Sequence, residues 1–238
     1  MVGTAGWSIP PRHAACFPEQ GSHLERYSQR FAAVEINSSF YRPHRPSTYA
    51  RWAASVPTDF RFAVKLPREI THTRRLVDVT EPLARFLSEV LVLGPKLGPV
   101  LVQLPPSLAF QPEPVDDFLR RLRDAFDGPV ACEPRHPSWF TNTVDRLLAE
   151  HRIGRVAADP APVPLAAEPG GDRALRYYRL HGSPRMYYSA YAPDYLDALA
   201  RRLALGDGEV WCVFDNTAEG AAAVDALKVI EALSQPEV

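Results

Sequence analysis

The sequence predicts a (β/α)8 barrel of TIM type, an α/β fold in a single domain over residues 1–238. Three observations carry that expectation. Short runs rich in Val and Ile alternate with stretches of helical periodicity. Proline, at 24 residues about twice its usual ~5% share, repeatedly closes the apolar runs instead of gathering in one tract. The length of 238 residues approaches the ~250 of a closed eight-fold barrel.

The elements follow in order. Strands are predicted over 2–6, 34–37, 60–65, 100–103, 130–133, 155–158, 176–181 and 210–215. Several end on breakers: Pro67 after Phe62-Ala63-Val64-Lys65-Leu66, Pro105-Pro106 after Val100-Leu101-Val102-Gln103-Leu104, and Pro134 after Val130-Ala131-Cys132-Glu133. Between them, Leu83, Phe86, Leu87, Val90 and Leu91 keep the spacing of one helix face, and Val115, Phe118, Leu119, Leu122 and Phe126 nearly repeat it. Val144, Leu147 and Leu148, then Leu196, Leu199 and Leu203, do so more briefly. Ser22, Thr80 and Asn142 are the predicted helix caps. Residues 160–172, rich in Pro, Ala and Gly, are predicted to be a loop in place of a regular sixth helix. Neither G-x-G-x-x-G nor G-x-x-x-x-G-K-[ST] follows the first strand, which weighs against an open nucleotide-binding sheet.

Composition excludes several function classes. Lys and Arg total 27 against 28 Asp and Glu, so no global basic field points to nucleic acid. No apolar run reaches the ~18 residues of a membrane span, and the N-terminus does not read as a signal peptide. Three cysteines, Cys16, Cys132 and Cys212, are too few for a disulfide framework and fit a reducing compartment, so a cytoplasmic protein is expected.

In a barrel, alternate residues of each strand point inward and the C-terminal strand ends carry the site. Glu35 and Asn37 share one face of the second strand. Lys65 is in phase with Ala63, Gln103 with Leu101, Glu133 with Ala131, and Asp215 with Val213, while Tyr177, Arg179 and His181 share a face of the seventh strand. Six strands thus deliver polar side chains to one rim. The following loops add Tyr41, Arg68, His72, Arg135, His136, Arg185 and Asn216. Lys65, Arg68, His72, Arg135, His136, Arg179, His181 and Arg185 outnumber Glu35, Glu69, Glu133 and Asp215 there, so the expected mouth is basic and suited to phosphate or carboxylate.

Gly3-Thr4-Ala5-Gly6-Trp7, Val34-Glu35-Ile36-Asn37-Ser38-Ser39-Phe40-Tyr41, Phe62-Ala63-Val64-Lys65-Leu66-Pro67 with Ile70-Thr71-His72, Leu97 through Pro106, Glu133-Pro134-Arg135-His136-Pro137-Ser138-Trp139-Phe140 and Arg179-Leu180-His181-Gly182 together resemble the YecE-like family, domain of unknown function 72. The resemblance runs along nearly the whole chain, in order. It implies a TIM barrel with a polar pocket at the C-terminal face and supplies no reaction. Two positions depart from the family pattern: Pro134 where an aromatic residue is common, and Asp215-Asn216 where Asn-Asn is common.

Three chemistries compete on these residues. Glu35 and Glu133, from strands on opposite sides of a barrel, make a candidate proton-transfer pair, with Lys65 as a base or Schiff-base amine. The competing reading is that the carboxylates orient Arg135, Arg179 or Lys65. A metal on Glu35, Glu133, His136, His181 and Asp215 lacks any ligand-spacing motif, and the neighbouring cations disfavour it. Nucleophilic triads lack a G-x-S-x-G elbow, and Cys132 and Cys212 lie out of phase with the pocket. Tyr41, Trp139, Tyr187, Tyr188 and Tyr191 are candidate rim aromatics.

The sequence therefore leads to an enzyme acting by acid/base chemistry on a small anionic, phosphorylated or sugar-like ligand. Glu35, Glu133 and Lys65 are the expected catalytic residues; Asn37, Tyr41, Gln103, Arg135, His136, Arg179, His181, Asp215 and Asn216 are the expected ligand contacts. No metal or cofactor is named by any motif, and the oligomeric state is left open. A metabolite-binding or nucleic-acid-associated module using the same pocket is the alternative.

Overall fold

The apolar runs of period two become parallel strands, and the runs of period 3.6 become the helices that cover them. The structure is a computed structural model and describes residues 1–234. The strands are β1 (Val2–Thr4), β2 (Ala33–Ile36), β3 (Arg61–Lys65), β4 (Leu97–Gln103), β5 (Val130–Glu133), β6 (Ile153–Arg155), β7 (Ala157–Asp159), β8 (Gly170–Gly171), β9 (Leu175–Leu180) and β10 (Glu209–Phe214). The helices are α1 (His23–Ser28), α2 (Ser38–Tyr41), α3 (Pro46–Ala54), α4 (Thr80–Val90), α5 (Pro112–Ala125), α6 (Asn142–Glu150), α7 (Pro193–Ala204) and α8 (Ala221–Ser234). This is the mixed α/β architecture of TIM-barrel type that the alternation predicts.

The strands pair in two ladders, in the orders β1-β10-β9-β7 and β2-β3-β4-β5-β6-β8. Every pairing is parallel except β6 with β8. The two ladders meet at two seams. At one, Ala5 bridges Glu35 and the Gly6 amide donates to the Glu35 carbonyl over 2.8 Å. At the other, the sixth strand divides: β6 pairs with β5, β7 pairs with β9, and Val156 between them donates to the Cys132 carbonyl over 2.8 Å. The sequence predicts one strand over 155–158; the chain instead changes partner in mid-strand.

Alternation sorts the side chains into two cores. Ala33, Ala63, Leu101, Ala131, Val156, Leu175, Tyr177, Trp211 and Val213 pack together inside the strands. Val34, Ile36, Phe62, Val64, Val100, Val102, Val130, Cys132 and Cys212 face the helices, together with Leu83, Phe86, Leu87, Phe118 and Leu122. The inner core sets large residues against small ones. Tyr177 and Trp211 stack with centroids 6.1 Å apart, and alanines on β2, β3 and β5 leave them room. At Gly98 the fit is complete: a Cβ there would lie 2.6 Å from the Trp211 ring. A register shift between β3 and β4 lies beside it.

Helix boundaries refine the expectation by single residues. Ser22 caps α1 as a full capping box with Glu25. Thr80 is instead the first residue of α4, and Thr141 rather than Asn142 caps α6 by accepting from the Val144 amide. The segment 160–172, predicted as a loop, also holds a short 3-10 turn, Pro164–Ala167, and the two residues of β8.

Gly98→Leu, which drives a side chain into the Trp211 ring, is expected to destabilise the protein by about 1–3 kcal/mol through overpacking. Trp211→Ala is expected to cost about 3–5 kcal/mol through the cavity it leaves. The double variant, measured by urea denaturation, should be more stable than the sum of the two predicts, because each change removes the other's defect.

Candidate functional site

The strand ends are held by their own loops. Ser39, at the start of α2, puts its hydroxyl 2.9 Å from the Ile36 carbonyl and 2.7 Å from the Lys65 carbonyl, so β2 and β3 end in register. That lays the Phe40 ring against Lys65, whose Nζ sits 4.2 Å from the ring centroid. After β3 the chain makes a π-helical turn, Glu69–Thr73. Ile70 and Thr71 are buried, while His72 reaches the mouth with its Nδ1 2.9 Å from the Thr71 hydroxyl. Short π turns of this kind recur at functional sites.

Above the inner apolar core lies a layer of charge. Arg179 is buried and spans it. Its Nε and Nη2 donate to Glu35 over 3.0 and 2.6 Å, its Nη1 to Glu133 over 2.7 Å, and its Nη2 also to Asp215 over 3.2 Å. Tyr177, two residues back on the same face, donates its hydroxyl to Glu35 over 2.9 Å. His181, two residues onward, sets Nδ1 3.0 Å from Asp215 and Nε2 2.9 Å from Glu133. Arg135 reaches Glu133 at 2.6 Å and lies 2.8 Å from the same imidazole Nε2. A doubly protonated ring satisfies both carboxylates; a neutral ring holding its proton on Nδ1 leaves Nε2 to accept from Arg135.

Burial alone would raise the carboxyls of this layer. For Glu133 the charges of Arg179, Arg135 and His181 outweigh burial and hold the group well below the usual carboxylate range. Asp215 is held down in the same way, against burial, by Arg179, His181 and Lys65. Burial, with Glu35 adding to it, pushes the Tyr177 hydroxyl well above its ordinary value. Burial also pushes the Cys132 and Cys212 thiols up to about 12, as expected of packing residues.

Over this layer opens a cavity of about 610 Å³ lined by Phe40, Tyr41, Lys65, Arg68, His72, Gln103, Pro106, Arg135, Pro162, Met186 and Tyr187. Its titratable wall groups are basic or phenolic, and no carboxylate among the described residues lines it. Lys65 stands apart from the other buried charges. No carboxylate oxygen lies within ion-pair distance of its Nζ among the described residues, and none of the described hydrogen bonds uses it. Burial lowers its pKa to about 8, helped by Arg179 and opposed by Glu35, Glu133 and Asp215. Lys96, in contrast, donates to the Ala53 and Val56 carbonyls over 2.7 and 2.6 Å.

Of the residues singled out by the sequence, Lys65, Gln103, Arg135 and Tyr41 line the cavity, and Glu35, Glu133, Arg179, His181 and Asp215 form the layer beneath it. Glu35 and Glu133 do not face each other across open space: a guanidinium lies between them. Asn37 approaches Asp215, its amide nitrogen 3.4 Å away. His136 and Asn216 lie outside the cavity. His136 accepts from the Ser138 amide and caps the turn Pro137–Trp139. Asn216 donates to the Ser189 carbonyl and to Asp225. Both follow a strand end, where loop geometry rather than strand phase sets direction. Trp139 and Tyr191 are buried as packing residues, while Tyr187 joins the wall. Arg68 and His72 enter the wall from the third loop, and Tyr177 was legible only through its phase with Arg179. Among the described residues no group of three His, Cys, Asp or Glu side chains is arranged to hold a metal ion.

Removing Arg179 leaves two fully buried carboxylates without their main partner. Arg179→Met is therefore expected to destabilise the fold by about 3–5 kcal/mol in chemical denaturation. Glu133→Gln should be less stable than the wild type at neutral pH. The wild type's advantage is present above the ordinary carboxyl pKa and is lost as pH falls through the depressed folded value, so thermal melts of the two proteins should converge in acid.

A family profile described as "Protein of unknown function DUF72" matches residues 1–238. The UPF0759 protein YecE of Escherichia coli strain K12 is 32% identical over 149 residues, 60% of this chain and 54% of that protein. The UPF0759 protein YunF of Bacillus subtilis is 29% identical over 174 residues, 67% of this chain and 60% of that one. These matches thus span only about half to three fifths of the curated relatives' length. Among solved structures, a DUF72 family protein of Enterococcus faecalis aligns with a TM-score of 0.83 at 23% identity, over 99% of this chain and 96% of that one. Another from Thermotoga maritima aligns at 0.77 and 24% identity, over 98% and 99%. The 3-keto-D-glucoside 4-epimerase YcjR of E. coli aligns at 0.53 with 13% identity, a likeness of fold alone, over 98% of each chain. No helix among the described residues is long and apolar enough to cross a membrane. The match along the full length establishes that the chain belongs to the DUF72 family.

Proposed function

We propose that the mouth of the barrel binds a small anionic molecule, phosphorylated or sugar-like, and that the protein is an enzyme acting on it by proton transfer. One observation carries this reading: a cavity of about 610 Å³ whose wall holds Lys65, Arg68, His72 and Arg135 and, among the described residues, no carboxylate. An anion entering it would meet charge-assisted donors, of which Lys65 is buried, His72 and Arg135 half-buried and Arg68 exposed. Lys65 is the proton-transfer group in this reading. Its pKa of about 8 places it near the range in which a base works at neutral pH. Arg68 and Arg135 hold the anion, and Gln103 and Tyr41 hydrogen-bond to its polar groups. Glu35, Glu133 and Asp215 act through Arg179 and His181, fixing the floor on which the ligand rests.

A binding module without turnover is the second reading, and a specific feature favours it: every carboxylate of the floor is already engaged by a cation. The two readings share the anion site and differ in whether Lys65 moves a proton.

Sulfate, whose charge is constant from neutral to alkaline pH, tests the shared part by calorimetric titration. Lys65→Ala is expected to weaken sulfate binding at least ~10-fold, the loss of one charge-assisted contact. Arg146→Ala, on the exposed face of α6, should leave it unchanged. Affinity for the wild type should fall as pH rises through about 8, where Lys65 loses its proton. The groups around that amine are Glu35, Glu133, Asp215 and Arg179 below it and Arg68 and His72 beside it. His72, held below the ordinary imidazole value, has already lost its proton over that interval. Unchanged binding in Lys65→Ala would refute the anion site as described.

A further inference from the structure

We propose that the Lys65 amine forms an imine with the carbonyl carbon of its ligand, so that the substrate class is a small aldehyde or ketone that also carries a carboxylate or phosphate. The proposal rests on the anion-binding reading of the same cavity and narrows it.

The geometry is that of an amine kept free for chemistry. The chain has only three lysines, Lys65, Lys96 and Lys228, among 27 basic residues. Lys96 is tied to two backbone carbonyls. Lys65 emerges from the C-terminal end of β3, lies over the Phe40 ring and opens onto a cavity large enough for a small metabolite. Within a layer where three carboxylates compete for cations, all three go to Arg179, and two of them also contact His181. A guanidinium cannot give up its proton at accessible pH, whereas an ammonium that is buried without an ion-pair partner does. Burial first, and the Arg179 charge second, lower the Lys65 pKa to about 8, so far more of this amine is neutral at pH 7 than of an exposed lysine.

The step balances without a redox partner. The neutral amine adds to the carbonyl carbon, forming a C–N bond while the π pair of the C=O moves onto oxygen. One proton passes from nitrogen to that oxygen, giving the carbinolamine. The nitrogen lone pair then expels the hydroxyl, which leaves as water on taking up a second proton. The sum is amine, carbonyl and one proton going to protonated imine and water. His72 packs edge-on against Phe40, the ring that Lys65 also covers, with centroids 4.9 Å apart. Burial and the charges of Lys65 and Arg68 hold its pKa below the ordinary imidazole value, so it is suited to shuttle these protons. Arg68 and Arg135 on the wall would hold the carboxylate or phosphate.

Borohydride reduction tests the imine in the intact protein. The wild type is incubated with pyruvate or with glyceraldehyde 3-phosphate, reduced, digested and mapped by mass spectrometry. A single reduced adduct on Lys65 is expected, with labelling of Lys96 and Lys228 at least ~10-fold lower. Acetone, which lacks the anionic group, should trap at least ~10-fold more slowly than pyruvate. Lys65→Arg, which keeps the charge, should lose the adduct while still binding sulfate. Sulfate binding with no Lys65 adduct from either probe, or adducts spread evenly over the three lysines, would overturn the imine and leave the anion site standing. Absence of both sulfate binding and adduct would remove the anion site as well.

Discussion

Arg179 answers carboxylates from three elements at once: Glu35 on β2, Glu133 on β5 and Asp215 just after β10. Placing these charges out of water without a partner would cost several kcal/mol per ion. One planar guanidinium with five donors can satisfy several oxygens in fixed directions, which a lysine ammonium cannot do. Because the acids come from opposite sides of the barrel, the ion cluster also ties those sides together above the apolar core. The alanines of β2, β3 and β5 and the stacked Tyr177 and Trp211 form the support beneath it.

This arrangement divides the labour between floor and wall. The acids are spent on the floor, where Arg179, Arg135 and His181 hold Glu133 well below the usual carboxylate range. The wall above is left with cations, and Lys65 has an aromatic ring where an ion-pair partner would otherwise be. A deprotonated Glu133 locked onto two guanidinium groups is poorly suited to donate a proton. A partly desolvated Lys65 is well suited to accept one or to attack a carbonyl. The Asp215 carboxylate, at a position where the family resemblance leads one to expect an amide, finds its partners in Arg179 and His181.

Much of this was legible in the sequence because a strand's period of two is rigid. Lys65, Gln103, Glu133, Arg179 and Asp215 all project where their phase with Ala63, Leu101, Ala131, Tyr177 and Val213 requires. What phase cannot tell is which charge pairs with which. That depends on the stagger of the strands and on side-chain reach, so phase alone does not separate a free carboxylate pair from an arginine-bound one. Phase also ends with the strand. His136 and Asn216 lie beyond it and turn to Ser138 and Asp225 instead of the pocket. The division of the sixth strand at Val156 has no local signal, because it arises where two ladders meet.

The floor withholds its carboxylates from Lys65. Nitrogen-15 and carbon-13 NMR of the lysine side chains reads this out at the amine itself, and three lysines make the assignment tractable. Lys65 is expected to titrate near 8, well before an ordinary lysine. A Lys65 that titrates at or above the ordinary lysine value would mean that Glu35, Glu133 or Asp215 pairs with it, and would contradict the account.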